Sequence, residues 1–193
     1  MALIKSALEL ALEKTEGLSV DKDELRRKEL FTQGRVAAAK GLEEGPAFFA
    51  ESLKTRSAEL GKDEKQSFRS GAGENLVSRI NLAFEIPALK DLEKVAALLD
   101  VLTSGKSGPI VESLSGLFQQ YGQEVTQLRA AIAQQLGPQL RQRAQQQGAN
   151  PAQYVLERDP AYLKVLAENL EPMRMEYQGH LDEAKAQLRA LTN

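Results

Sequence analysis

The sequence has no cysteine, no tryptophan and a single histidine, His180. Without cysteine the chain forms no disulfide, offers no thiolate nucleophile and holds neither zinc nor an iron–sulfur cluster through thiolates. With one histidine it cannot supply two imidazoles to one metal ion. These absences exclude thiol chemistry and the metal centres that depend on thiolates or paired imidazoles.

Aromatic residues and long apolar runs are also scarce. Aromatics make up 5% of the chain, so the core must be built from Leu, Ala, Ile and Val, which suits helix packing better than a β-sandwich. No segment approaches the ~20 apolar residues that cross a bilayer. Glu9 and Glu13 interrupt the apolar N-terminus, unlike a signal peptide. We therefore expect a cytoplasmic protein without a membrane partner.

Charge of one sign is not concentrated anywhere. The chain has 25 basic and 27 acidic residues, a net charge of −2. Residues 1–106 carry 17 basic and 18 acidic side chains, and residues 107–193 carry 8 and 9. A basic domain or tail, which is usual in nucleic-acid-binding proteins, is therefore missing, although a local basic face is still possible.

Apolar residues recur at helical spacing in two long C-terminal stretches. Between 109 and 140 the steps are three, four and four, and between 160 and 191 they nearly alternate three and four. Residues 141–159 would return the chain, so we predict an antiparallel helical hairpin in which Pro138 kinks or ends the first helix and Pro172 kinks the second. The two stripes are Leu114, Leu117, Tyr121, Val125, Leu128, Ile132 and Leu136, and Leu163, Leu166, Leu170, Met173, Tyr177, Leu181, Ala184, Leu188 and Leu191.

Capping and breaking residues divide the preceding chain into shorter helices. We predict helices at Ala2–Thr15, from about 21 to 44, from Pro46 to Gly61, over 63–84 with breaks at Gly71 and Gly73, and from 87 to 102. We predict that residues 103–108 form a linker and that residues 151–158 form a short helix. The predicted fold is an all-α multi-helix bundle with a long C-terminal αα-hairpin, compact or elongated. Its parts are an N-terminal helical region, 1–106, and the hairpin, 107–193, unless the two form one continuous domain.

Small residues line one face of the second predicted helix. Gly34, Ala38, Gly41 and Gly45 recur at steps of four, three and four, although glycine costs roughly 1 kcal/mol relative to alanine inside a helix. Close approach of a helix in the same core explains this face, and a subunit interface is the alternative. The predicted interface positions are Gly34, Ala38, Gly41, Leu163, Leu170, Leu181 and Leu188.

Two surface clusters are candidates for binding. Glu176, His180 and Glu183 are spaced one helical turn apart, as ligands of a divalent metal ion could be, although a surface histidine between carboxylates is the simpler interpretation. A basic cluster could contact phosphates of nucleic acid, although it is flanked by acidic residues and has no aromatic side chains for base stacking. Its members are Arg26, Arg27, Lys28 and Arg35.

No motif indicates catalysis. Gly105-Lys106-Ser107 resembles the end of a phosphate-binding loop, but Asp100 occupies the position of the required glycine and a Leu-rich helix replaces the required strand. We expect a non-enzymatic protein without a cofactor. It would act by helix–helix association with a copy of itself or with another helical protein. The alternatives are nucleic-acid binding through the basic cluster and metal binding around His180.

Overall fold

The structure, a computed structural model, describes residues 22–82, 86–148, 150 and 154–192, with the side chains of 86–89 excepted. Within these ranges the chain is all-helical and has no strand, which confirms the predicted fold class. The predicted helix Ala2–Thr15 lies outside the described residues. The helices are α1 (Lys22–Glu44), α2 (Pro46–Glu59), α3 (Lys62–Ser78), α4 (Ile86–Thr103), α5 (Gly108–Gln146) and α6 (Pro160–Thr192).

Helices α1 and α3 pack with their backbones in contact. A Cβ atom built on Gly34 of α1 would lie 1.9 Å from the carbonyl oxygen of Phe68, and one built on Gly71 of α3 would lie 1.9 Å from that of Phe31. Each glycine therefore admits the backbone of the opposite helix. The breaks predicted at Gly71 and Gly73 do not occur: α3 is continuous there, because both glycines serve close packing.

A tight turn joins α4 to α5 where a linker was predicted, with both ends buried and residues 104–106 exposed. Ser104 and Gly105 have positive φ angles of 53° and 85°. The Thr103 hydroxyl donates to the carbonyl of Leu99 (2.7 Å) and accepts from the backbone N–H of Ser107 (3.1 Å). Thr103 and Ser107 are buried, so both ends of the turn are anchored in the fold.

Helices α5 and α6 form the predicted antiparallel hairpin. The rings of Tyr121 and Tyr177 lie 5.0 Å apart, and the Tyr162 hydroxyl donates to the carbonyl of Arg129 at 3.4 Å. Both helices continue through their internal prolines, Pro138 and Pro172. At 1.5 Å per residue, the 39 residues of α5 span ~58 Å. In the described residues 154–159 of the return segment, Leu156–Arg158 form a 3₁₀ turn, where the end of the predicted helix over 151–158 would lie.

Buried apolar side chains form three clusters along the molecule. The largest unites α1–α4 with Leu114 and Phe118 of α5 and with Leu181 and Leu188 of α6, so it crosses the boundary at 106. A second contains Tyr121, Val125 and Tyr177. The third contains only side chains from α5, α6 and the segment between them. We call the part of the hairpin that holds this third cluster, residues 126–175, the arm.

Candidate functional site

An open groove lies between α5 and α6 where the hairpin joins the bundle. It has a volume of about 700 Å³. Its apolar lining comes from Ile110, Leu114, Leu117 and Ala184, and its polar lining from Ser113, Gln120, Glu124, Glu176, Tyr177, His180, Glu183 and Gln187, with Pro109 and Gly116 completing the α5 side. The groove therefore combines an apolar surface with carboxylates, and none of the described lysines or arginines lines it.

The carboxylates that α6 contributes to the groove lie at two heights along the axis of that helix. Glu176 and Glu183 are seven residues apart on one helix, which places them ~10 Å apart along its axis. Glu124, on α5, lines the groove opposite α6 and lies close to Tyr177, whose pKa it helps to raise. Its Oε1 accepts a hydrogen bond from Gln120 Nε2 at 3.1 Å. Across the described part of the chain, Glu176 and Glu183 form no ion pair.

Tyr177 places a buried hydroxyl beside these carboxylates. Its side chain lines the groove and is 5% exposed. Burial is the main cause that raises the pKa of Tyr177 to about 12, and a hydrogen bond with Glu124 adds to it. The phenol therefore stays protonated at neutral pH.

The predicted metal ligands lie together on the α6 side of this groove. Glu176, His180 and Glu183 are all exposed and all line it. Within the described ranges, however, no group of three His, Cys, Asp or Glu side chains is arranged to hold a metal ion. The consecutive turns of one helix bring the three residues to one wall without making their donor atoms converge.

Acidic side chains neutralise part of the predicted basic cluster on α1. Arg26 pairs with Glu29 at 3.2 Å and with Glu64 of α3 at 3.1 Å, and Lys28 pairs with Glu24 at 2.5 Å. The hydrogen bond to Glu64 is the main cause that raises the pKa of Arg26. Arg27 and Arg35 are exposed on the same helix. The surface therefore has mixed charge, and nucleic-acid binding stays an untested prediction.

The predicted interface residues separate into buried and accessible positions. Gly34, Ala38 and Gly41 are buried inside this chain, where a Cβ on Gly41 would lie 2.9 Å from side-chain atoms of Phe49 and Leu98. Leu181 and Leu188 are fully buried in the largest cluster. Leu170 is half-buried, and Leu163 is 48% exposed. Tyr162, not Leu163, is the buried residue at the start of this stripe, so Leu163 stays accessible and its place in an interface remains a prediction.

The groove itself was not predicted from the sequence. The pattern singled out Glu176, His180 and Glu183 but not Glu124 or Gln120, which complete the groove from the other helix. Their proximity depends on the register of α5 against α6. Pairing Tyr121 with Tyr177 would have given that register, but the apolar stripes of α5 and α6 alone are compatible with several registers.

A second, smaller cavity lies between α1, α2 and α4. Its volume is about 410 Å³, and it is lined by apolar atoms around Leu42, Pro46 and Leu98 with Lys90, Glu93 and Lys94 among its polar residues. Among the described residues a single carboxylate, that of Glu93, lines it, whereas three carboxylates line the groove. The groove is therefore the stronger candidate site.

Taken together, these features define an all-α protein in which a helical bundle carries a projecting two-helix arm, with an open acidic groove at the base of the arm. Residues 54–190 match the model of a protein family of unknown function, DUF6657. This match covers more than half of the chain, so the protein belongs to that family. No curated protein and no solved structure matches the chain. Among the described helices, none is long and apolar enough to cross a membrane.

Proposed function

We propose that this protein is a non-catalytic helical interaction protein that associates with a second copy of itself along the arm. The observation that carries the proposal is the incomplete burial of the arm's apolar side chains. Two helices bury only the faces that they turn toward each other, and further helices are needed to enclose a core.

The apolar residues of the arm are distributed accordingly. Three of the six large hydrophobic side chains that are exposed in the described residues lie on the arm: Val155, Leu163 and Met175. Others are only half-buried around the distal cluster, namely Leu128, Leu136, Val165 and Leu166. A second hairpin packed against the arm would bury this surface in a four-helix arrangement.

The charges of the arm are compatible with a second copy as the partner. Residues 126–175 carry six basic and four acidic side chains, and Arg174–Glu171 and Lys164–Glu168 pair within α6. Like-charge repulsion between two arms is therefore small. Twofold pairing of identical surfaces is also the commonest symmetry of soluble oligomers.

Leu163→Glu tests the proposal with a matched control. Because Leu163 is 48% exposed, a charge there leaves the monomer folded, and it would disrupt an apolar interface by desolvation. Val36→Glu places the same charge at a 51% exposed site on α1, away from the arm. In sedimentation velocity, we expect the wild type and V36E to associate and L163E to sediment as a monomer. Equal association of all three would exclude the arm as the interface.

A further inference from the structure

We propose that residues 2–15 pack as a helix into the smaller cavity, between α1, α2 and α4, with Glu9 and Glu13 beside Lys90 and Lys94. This segment lies outside the described part of the chain. Its docking would be independent of self-association, because none of the residues that line this cavity belongs to the arm.

The cavity exposes apolar surface to solvent. Its volume is about 410 Å³, and apart from Lys90, Glu93 and Lys94, whose charges sum to +1, its lining consists of glycine, proline, alanine and leucine residues. Leu42 is only half-buried and Ala97 is exposed. An apolar helix face packed there would remove this surface from water, which is favourable in proportion to the apolar area buried.

The sequence of 2–15 provides a helix face of this kind. Ile4, Leu8 and Ala11 recur at steps of four and three, which predicts an amphipathic helix. An isolated helix shorter than about 12–15 residues is only marginally stable in water, and most helical stability in proteins comes from packing of the apolar face. A helix over 2–15 therefore needs an apolar partner surface, which the cavity offers.

The charges beside the two apolar surfaces are complementary. Glu9 and Glu13 are four residues apart, so their carboxylates lie one turn apart on one side of the predicted helix. Lys90 and Lys94 have the same spacing on α4 and are exposed, and neither forms an ion pair in the described residues. Two helices side by side can therefore bring both pairs of opposite charge together at once.

The connecting residues are long enough for this docking. The cavity lies near the end of α1, where Gly41 is 19 residues, or ~28 Å, from Lys22. Residues 16–21 span up to ~20 Å when extended, and a helix over 2–15 is ~21 Å long. A helix that folds back along α1 therefore reaches the cavity of its own chain.

Carbodiimide coupling tests this inference, because it joins a carboxylate directly to an ammonium group in contact with it. In dilute protein at low salt, mass spectrometry of the digested monomer band should identify links from Glu9 or Glu13 to Lys90 or Lys94. E9Q/E13Q removes both carboxylates and should remove these links. The Glu24–Lys28 pair, 2.5 Å apart on α1, should couple in both proteins.

Thiol labelling provides a second measurement, since the chain has no native cysteine. Ala97→Cys places a reporter thiol in the cavity, and adding E9K/E13K to it should make maleimide labelling about fivefold faster, as expected for the loss of two surface ion pairs. Adding E168K/E171K instead makes the same change in net charge on the arm and should leave the labelling rate unchanged.

Two results would overturn the docking. One is the absence of these links from the monomer band while Glu24–Lys28 couples, and links confined to a dimer band count here because they assign the segment to a second copy. The other is equal labelling of the Ala97→Cys thiol with E9K/E13K and with E168K/E171K. Neither measurement needs the arm, so a chain that stays monomeric should still give both expected results.

Discussion

Gly34 sets the distance between α1 and α3. Its missing side chain leaves room for the Phe68 carbonyl, to which a Cβ would approach within 1.9 Å. We expect Gly34→Ala to force the helices apart and to lower the free energy of unfolding by about 3 kcal/mol, near the upper end for overpacking. Urea denaturation measures this change.

Gly179 provides the matched control on α6. No atom lies within 4 Å of the position where its Cβ would be, so Gly179→Ala should gain about 1 kcal/mol from helix propensity alone. Destabilisation of similar size by both substitutions would mean that the close contact at Gly34 is not what requires glycine there.

Tyr177 makes stability sensitive to alkaline pH. An unfolded tyrosine loses its proton near pH 10, whereas burial keeps the folded phenol protonated up to about 12. Because the folded pKa is the higher one, its contribution to stability is complete below pH 10 and declines as the pH rises toward 12. We expect a late step in the tyrosinate absorbance titration that Tyr177→Phe lacks. If the titration curves of the wild type and of Tyr177→Phe differed only in amplitude, the raised pKa of Tyr177 would be contradicted.

At the scale of elements, Asp159 holds the start of α6 at the tip of the arm. Its Oδ1 accepts the backbone N–H of Ala161 at 2.8 Å, and its Oδ2 accepts the Tyr154 hydroxyl at 2.7 Å. The hydrogen bond from Tyr154 is the main cause that lowers the pKa of Asp159. The side chain thus ties the return segment to the first turn of α6.

We expect Asp159→Ala to loosen this tip locally. Loss of a helix N-cap costs about 1 kcal/mol, which corresponds to roughly fivefold faster amide exchange where opening is local. Hydrogen exchange should accelerate in the first turn of α6 and remain unchanged in α1–α4. Asp159→Asn keeps an acceptor for Ala161 and should exchange more slowly than the alanine variant. Equal exchange in both variants would show that the cap does not hold the tip.

Periodicity predicted the two long helices, including the continuity of α6 through Pro172, whereas the breaks predicted at the glycines of α3 do not occur. A helix interior proline costs ~3 kcal/mol on average, but Pro138 and Pro172 are exposed, as are Gln134 and Glu168 one turn earlier. Water can therefore hydrogen-bond the carbonyls that these prolines leave free. The two glycines of α3 suggested breaks because propensity alone does not reveal a neighbouring backbone.

For the whole molecule, the hairpin was predictable from the sequence and the groove was not. The stripes of α5 and α6 are local patterns, so each helix could be recognised by itself. The groove needs Glu124 and Glu176 from different helices, and their proximity depends on tertiary register. Leu163 shows the same dependence on tertiary packing. Residue spacing locates the buried face of a helix only to within about one residue, and in the folded chain the neighbouring Tyr162 is the buried residue.

The molar mass of the wild-type protein in solution reports on self-association along the arm. Size-exclusion chromatography with multi-angle light scattering over a dilution series measures this mass. We expect twice the chain mass of 21.2 kDa at high concentration, falling toward 21.2 kDa on dilution. A mass of 21.2 kDa at every concentration would show that the protein does not self-associate.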